Sequence, residues 1–221
     1  MLGANGPRSW IWWDWVRRHL GVVGHATRQH LEMTAIAVGL GLLIAFPIAL
    51  LAWRWRRLRG PAFAITGGLY TIPSLALFAL LIPFTGLSTT TVEIGLVSYT
   101  LLILVRNILI GLDAVPDEVR EAARGMGFSP ARQLVRVELP LAVPAIVAGI
   151  RVATVTTVGL VTIAALLGQG GLGTLIYDGL ERDFRTPLVI GTVLSVALAA
   201  GADLGLLGIQ WLVTPWSRRR T

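Results

Sequence analysis

The chain has 221 residues, of which 54% are hydrophobic and only 14% are charged, a balance typical of an integral membrane protein rather than a soluble domain. Every basic residue is arginine, so the chain has no lysine for a P-loop or a Schiff base, and it has no cysteine for a disulfide or a thiolate metal site. The net charge is +7, and the arginines that produce it cluster beside apolar segments. This placement indicates a signal for membrane topology rather than nucleic-acid binding.

Residues 1–29 predict an amphipathic segment at the membrane interface. Four tryptophans precede a pair of arginines, which suits a helix lying in the plane of the membrane surface. These tryptophans are Trp10, Trp12, Trp13 and Trp15. The apolar run is too short and too interrupted by charge for a cleaved signal peptide. An aromatic anchor with no further role is the alternative. No metal site is predicted at the histidines here, because their spacing does not place two on one helical face.

Residues 30–215 contain five apolar segments, each long enough to cross about 30 Å of hydrocarbon as a helix. The predicted spans cover residues 33–53, 61–83, 94–112, 144–167 and 187–213. Most arginines outside the spans lie after the first span, after the third span and in the tail at 216–221. The positive-inside rule therefore places the loop at 113–142 and the C-terminus in the cytoplasm, and the N-terminus outside.

Pro73 lies in the middle of the second predicted span, where a proline interrupts helical hydrogen bonding. Tyr70, Thr71 and Ser74 place hydroxyl groups and an aromatic ring beside this interruption. Transporters use such breaks to expose backbone to substrate, and an aromatic ring attracts a cation. We predict a substrate path at the break, with a packing kink that contacts no substrate as the alternative.

Three charged residues fall within or beside the spans, where unpaired charge is costly. Arg106 and Arg151 lie close enough to the cytoplasmic interface to extend their side chains to it, which indicates a structural role. Asp203 lies deeper in the fifth span. It either pairs with one of these arginines or takes part in the passage of a cation.

The loop at 113–142 is a charged insert between two apolar spans. Pro116, followed by two acidic residues, begins a helix that Gly125 or Gly127 can end. Ser129 is the expected N-cap of a second helix, which is predicted to end before Pro140. The pattern predicts two short cytoplasmic helices joined by a glycine turn. By itself it is equally typical of an amphipathic connector without a partner.

Within this insert, Glu121-Ala122-Ala123 is followed after three residues by Gly127, and after nine more by Val137, Leu139 and Pro140. The pattern resembles the signature loop of permease subunits in binding-protein-dependent ABC importers, with Val137 in place of the usual isoleucine. The resemblance implies a coupling helix that docks into a groove of a cytoplasmic ATPase. The implied contact residues are Glu121, Ala122, Ala123, Gly125, Gly127, Leu139 and Pro140. The small alanines would let the partner approach closely.

A glycine-rich segment follows the fourth predicted span and consists of Gly168, Gln169, Gly170, Gly171, Leu172 and Gly173. It fits the dinucleotide pattern G-x-G-x-x-G, but it follows a membrane span, and no βαβ unit surrounds it. A turn at the outer face is the better interpretation. Beside the substrate entrance, it would form an outer gate and contact a binding protein; a plain span-ending turn is the alternative.

Three further stretches narrow the resemblance: TIPSLAL at 71–77, VRN at 105–107 and AGIR at 148–151. Together with the glycine-rich segment they are similar to glycine betaine, carnitine and choline permeases over about residues 30–215. The resemblance implies an all-α polytopic subunit of an ATP-driven importer in a bacterial inner membrane. It also implies a second permease subunit, an extracytoplasmic solute-binding protein, and ATPase subunits that hold ATP and Mg.

The chain itself is predicted to be neither an enzyme nor a cofactor carrier. An intramembrane enzyme would need a histidine, cysteine, lysine or paired acids within the spans, and the predicted spans offer only Asp203 at depth. Two alternatives stay open. One is a permease for another small solute, such as an amino acid or a sulfonate, and the other is a membrane scaffold that transports nothing.

Overall fold

The computed structural model describes residues 10–214, which form ten α-helices and, within that range, no strand. The start of the N-terminal segment, residues 1–9, and the basic tail lie outside the described residues. The helices are α1 (Trp13–Arg18), α2 (Leu20–Arg54), α3 (Arg59–Thr71), α4 (Ser74–Thr85), α5 (Thr89–Asp113), α6 (Asp117–Gly125), α7 (Pro130–Gln133), α8 (Leu139–Ile163), α9 (Leu172–Glu181) and α10 (Arg185–Val213).

Four helical segments of the described chain are long and apolar enough to cross a membrane, namely α2, α5, the rod Pro130–Leu167 and α10. The bent pair α3–α4 provides a fifth. The all-α polytopic fold with about five spans is therefore confirmed.

Two sets of contacts define the ends of the bundle. At the insert end, Arg59 at the start of α3 pairs with Asp113 at the end of α5, with nitrogen–oxygen distances of 2.8 and 2.7 Å. At the opposite end, which we call the glycine-turn end, Thr89 at the start of α5 donates a hydrogen bond to Gln169 at 2.9 Å. The α3–α4 pair begins beside Asp113 and ends at Thr85, just before α5 begins. It therefore joins opposite ends of the bundle as one broken span.

The break in this span lies at Ile72 and Pro73, where α3 and α4 are inclined at 96°. Pro73 lacks an amide hydrogen and forces the preceding residue out of the helical conformation. Accordingly, Ile72 is extended, with ψ of 129°. Its carbonyl accepts a hydrogen bond from the Tyr99 hydroxyl of α5. The predicted interruption is confirmed, and it is a full break rather than a kink.

The first span begins earlier than predicted. Helix α2 starts at Leu20 and runs for 35 residues, so residues 20–29 belong to the span helix rather than to a separate interfacial segment. The physical reason is packing: Ala26 is 4% exposed and clusters with Leu172 and Leu175 of α9. One buried face keeps this polar stretch helical, because tertiary packing supplies most helical stability in proteins.

Helix α1 lies at the glycine-turn end, opposite the insert. The Trp12 amide donates a hydrogen bond of 2.9 Å to the Thr186 hydroxyl of α10. The rings of Trp12 and Trp15 contact Phe184 edge to face, with centroids 6.3 and 5.6 Å apart. Trp13, in contrast, is 62% exposed. Some of the tryptophans therefore attach α1 to the bundle, while Trp13 is free to meet lipid.

The second helix of the insert does not end before Pro140, and that prediction is wrong. It continues into the fourth span as one helical rod from Pro130 to Leu167. The rod widens into a π-helix at Leu134–Glu138, directly before Pro140. Proline removes one hydrogen bond and crowds the carbonyl four residues earlier, and a π-turn relieves both without ending the helix. The insert and the fourth span are therefore mechanically continuous.

Helix α5 is the centre of the bundle. Half of its most apolar stretch is buried, against 11% for α10. The largest core cluster joins residues of α2 and α8 to α5 and contains Ala45, Ala49, Ala52, Leu104, Val105, Ile108, Leu109, Leu112, Ala142 and Ala153. Small residues at these contacts let helices approach closely, as is usual in membrane bundles. The apolar surface of α10 is left for lipid or another subunit.

Candidate coupling and translocation sites

Helix α6 is attached to the bundle by one arginine. Arg120 donates hydrogen bonds to the Leu112 carbonyl at 2.7 Å and to the Asp117 carboxylate at 2.9 Å. Its Nε lies 3.7 Å from Glu138 in the π-turn. Gln133 donates to the same Glu138 oxygen at 2.6 Å. Arg120 therefore connects α6 to the end of α5 and to the rod that becomes the fourth span.

Glu138 is the buried centre of this arrangement, which we call the hub: Arg120, Gln133 and Glu138. Glu138 is 1% exposed, although it lies at the edge of the membrane-spanning part of the rod. A buried carboxylate is tolerated only when it is paired and hydrogen-bonded. The sequence analysis missed it. The sequence did mark this residue, because Glu138 is the only acidic residue between Glu121 and Asp178.

The residues predicted to meet an ATPase do not all face outward. Glu121, Ala122 and Gly125 are exposed, whereas Ala123 is 1% exposed and packs within the chain. Met126 follows at the tip of α6 with 67% of its surface exposed. Leu139 and Pro140 are half-buried at the start of α8. Among the outward-facing residues of the insert, we define the α6 tip as Glu121, Ala122, Gly125 and Met126.

Gly127 ends this part of the insert as expected. Its φ of +77° lies in the left-handed region, which glycine adopts at the C-terminus of a helix. The following amide, from Phe128, bonds back to the Ala123 carbonyl at 3.1 Å. Ser129 then caps the next helix by accepting a hydrogen bond from the Arg132 amide at 3.4 Å. The predicted helix stop and second helix start are both confirmed.

The broken span places an aromatic pair beside its free backbone. Tyr70 is 38% exposed, and its ring meets Tyr99 edge to face with centroids 5.7 Å apart. Thr71 bonds back to the Gly68 carbonyl at 2.8 Å, and Ser74 is half-buried at the start of α4. Tyr99 was not predicted from the sequence, because its partner carbonyl is 27 residues away.

Asp203 is not brought to this break. It accepts two hydrogen bonds from Arg151, at 2.8 and 2.9 Å, and joins α10 to α8. Of the two possibilities left by the sequence, the structure shows the ion pair. Arg106 is exposed on α5.

The glycine-rich segment is a tight turn clamped on α2. Gly168 and Gly171 have φ of +75° and +50°. A Cβ added to Gly171 would lie 2.8 Å from backbone atoms of His30, so only glycine fits there. His30 is fully buried, donates from Nε2 to the Val158 carbonyl at 3.1 Å and accepts from the Leu172 amide at 3.3 Å. One side chain thus holds α2, α8 and α9 together.

The accessible part of this turn is small. Gly168 is exposed and Gln169 is half-buried, whereas Gly170, Gly171 and Gly173 are buried. The turn also leads directly into α9, a short helix that the sequence analysis did not predict. Among residues 10–214, no group of three His, Cys, Asp or Glu side chains is arranged to hold a metal ion.

A family model described as "Binding-protein-dependent transport system inner membrane component" matches residues 37–207. The chain belongs to this family. The match covers the broken span, the insert and the glycine-rich turn, and leaves α1 and the first half of α2 outside it. The protein is accordingly a permease, a transport subunit with several membrane-spanning helices.

Relatives of this permease match it over most of their own length. It is 38% identical to the osmoprotectant import permease protein OsmW of Salmonella typhimurium, over 88% of this chain and 93% of the relative. It is 36% identical to the choline transport system permease protein OpuBB of Bacillus subtilis, over 90% and 92%. Among solved structures, an inward-facing MetNI methionine ABC transporter superposes with a TM-score of 0.78 at 25% identity, over 89% of this chain and 98% of that chain.

Proposed function

We propose that this permease forms the membrane path of an ATP-driven importer for compatible solutes that carry a quaternary ammonium group, such as choline, carnitine or glycine betaine. The relatives named for osmoprotectants and choline support this class of solute. The observation that carries the coupling part of the proposal is the continuity of the rod: an exposed α6 tip is fastened through Arg120 to a helix that reaches the glycine-turn end.

In this proposal the α6 tip docks on a cytoplasmic ATPase subunit, which binds ATP and Mg. Met126 gives the tip an apolar anchor, and Ala122 and Gly125 allow the partner backbone to approach. Closure of the ATPases displaces α6, and the hub transfers this displacement to the rod. Because the rod has no break between Pro130 and Leu167, its far end moves with the insert.

The solute path is proposed to pass the broken span at Tyr70, Thr71, Pro73 and Ser74. The Tyr70 ring would meet the ammonium group by cation–π attraction, which reaches about 2 kcal/mol when desolvated. Tyr99 fixes the ring of Tyr70 and occupies the Ile72 carbonyl. A second permease subunit would complete the path.

An extracytoplasmic solute-binding protein is proposed to deliver solute at the glycine-turn end. Gly168 and Gln169 are the accessible contacts there, and the buried glycines shape the turn. This arrangement requires the insert and the C-terminus to be cytoplasmic and α1 to be outside, in a bacterial inner membrane. The position of α1 at the end opposite the insert supports that orientation.

The test is reconstitution of the permease with its ATPase and binding protein in liposomes, with solute-stimulated ATP hydrolysis as the readout. We expect stimulation by choline or glycine betaine and none by methionine or taurine. Stimulation by methionine or taurine alone would show that the permease transports another class of solute, and the proposal that the chain is a transport subunit would stand. Absence of any transport, with the ATPase bound, would support a scaffold instead.

The coupling part has its own test. Met126→Glu places charge on the proposed apolar anchor, and we expect it to prevent co-purification of the ATPase while the spans stay folded. Glu181→Gln, exposed on α9 at the opposite end, is the control and should bind the ATPase normally. Normal ATPase binding by Met126→Glu would contradict docking at the α6 tip.

A further inference from the structure

A groove of about 460 Å³ lies between α2 and α5 at the glycine-turn end. Its position follows from Thr89, which lines it and hydrogen-bonds to Gln169 of the turn. On α2 the lining runs from Arg28 and Glu32 near that end to Met33 and Ile36 farther along the helix. The groove is therefore polar toward the membrane surface and apolar toward the membrane interior.

Glu93 lines the same groove from α5, one turn beyond Thr89. Both of its carboxylate oxygens are shielded from water, and neither has a hydrogen-bond partner among residues 10–214. Of the two basic side chains in the lining, Arg28 bonds instead to Glu32, with Nε 2.7 Å from the carboxylate, and His25 makes no hydrogen bond to Glu93. Glu93 thus lines the groove with an acidic group that pairs with no described side chain.

Such an arrangement is unfavourable unless something in the groove compensates it. A buried carboxylate without a partner is strongly unfavourable in a low-dielectric setting unless it is protonated or meets an opposite charge. Within a membrane protein, an ionisable residue of this kind is by default a functional group with a partner. An ammonium group in the groove would supply the opposite charge and keep the carboxylate ionised.

We propose that the groove is a binding site for an ammonium group, which Glu93 holds through its carboxylate. The apolar inner wall at Met33 and Ile36 accepts the carbon atoms attached to the ammonium. The Arg28 guanidinium, 79% exposed, bonds to Glu32 through Nε, and its terminal nitrogens can meet a phosphate or carboxylate on the same molecule. The ligand class is thus a small zwitterion or amine, separate from the path at Tyr70.

This chemistry has two sources at a membrane surface: a free solute, such as choline or glycine betaine, and the headgroup of phosphatidylethanolamine. Both offer an ammonium with attached carbon, and the headgroup adds a phosphate for Arg28. The site stands whether or not the transported solute is a quaternary amine, because the argument uses only the groove.

The experiment uses the permease assembled with its ATPase, without binding protein or ATP, in nanodiscs of defined lipid. Thermal stability is measured in pure phosphatidylglycerol, with and without choline or glycine betaine, and in phosphatidylglycerol mixed with phosphatidylethanolamine. We expect stabilisation by at least one ammonium source. Stabilisation by added solute identifies a solute site, and stabilisation by the mixed bilayer alone identifies a lipid site.

The decisive variant is Glu93→Gln, which keeps the shape and removes the charge. We expect it to weaken apparent binding of the effective ligand by about tenfold or more. Without ligand, the variant should be at least as stable as the original protein, because it removes an uncompensated charge. Glu181→Gln, exposed on α9 at the same end, is the control and should respond as the original does.

Two outcomes would overturn the site. One is an unchanged melting temperature of the original protein with every ammonium source. The other is a ligand response that Glu93→Gln retains in full. A failure of solute-driven transport leaves this experiment unaffected, because neither binding protein nor ATP is present.

Discussion

Arg151 of α8 donates two hydrogen bonds to Asp203 of α10, through Nε at 2.8 Å and Nη2 at 2.9 Å. A planar guanidinium and a carboxylate matched in this way give orientation as well as attraction. Helix α10 is otherwise the least buried of the four unbroken spans. The pair therefore fixes the side and the depth at which α10 packs on the rod.

Removing one member of this pair should destabilise the bundle. Asp203→Ala leaves the Arg151 charge without its partner inside a span, so we expect a lower melting temperature and a lower yield of folded protein in detergent. The reversed pair, Arg151→Asp with Asp203→Arg, should recover most of the loss. An Asp203→Ala variant as stable as the original protein would contradict this role. Full solute-stimulated ATPase activity in the reversed pair would show that Asp203 itself contacts no solute.

Disrupting the hub is predicted to impair the coupling of ATP hydrolysis to solute without preventing the ATPase from binding. Glu138→Ala leaves the Gln133 amide without its buried acceptor, a loss of about 1–3 kcal/mol, and removes the carboxylate that faces Arg120 at 3.7 Å. Because the α6 tip stays exposed, the ATPase should still co-purify, whereas solute-stimulated ATP hydrolysis should fall. The readout is the ratio of stimulated to basal hydrolysis in liposomes.

Glu138→Gln is the matched control for this experiment, since its amide oxygen can still accept from Gln133 while the charge that faces Arg120 is removed. It should retain more stimulation than Glu138→Ala. Equal loss in both variants would mean that charge, rather than hydrogen bonding, holds the hub. Unchanged stimulation in both would remove the hub from the coupling route.

The glycine-rich turn gives a steric prediction. In Gly171→Ala the added Cβ would lie 2.7 Å from Cβ of His30, at a φ of +50° that alanine rarely adopts. We expect a loss of more than about 1 kcal/mol of stability and faster hydrogen exchange in residues 168–173. Gly39→Ala, on α2 with open space around its Cβ, is the control and should be neutral or slightly stabilising. Equal stability of the two variants would contradict the clamp.

Local chemistry explains which parts of this fold could be predicted from the sequence. Span length follows from apolar runs, the break follows from Pro73, and the end of α6 follows from Gly127; each depends on one residue type acting on its own neighbourhood. The rod through Pro140 could not be predicted, because a proline is compatible with either a helix end or a π-turn. The structure adopts the π-turn, at Leu134–Glu138.

The site was predictable to the same degree. The insert motif and the glycine turn are contiguous in sequence and were identified. His30, Glu138 and Tyr99 act through partners that folding brings close, and only pairs at short helical spacing can be read from a single chain. Ala123 belongs to the insert motif and was expected at the partner surface, but it is buried inside this chain. The motif alone therefore does not tell which of its residues face outward.

The aromatic pair at the broken span gives the sharpest test of the solute path. Tyr99→Phe removes the hydrogen bond to the Ile72 carbonyl but keeps the ring against Tyr70. We expect a loss of stability of about 1 kcal/mol and nearly unchanged preference for quaternary amines.

Tyr70→Leu keeps the apolar volume but removes the π-face, so it should raise the solute concentration needed for half-maximal stimulation by several-fold, in line with about 1 kcal/mol of cation–π attraction. The measurement is ATPase stimulation as a function of solute in liposomes containing excess loaded binding protein, so that delivery is not limiting. If Tyr70→Leu transports with unchanged solute dependence while Tyr99→Phe loses it, the ring of Tyr70 is a packing element and the path lies elsewhere.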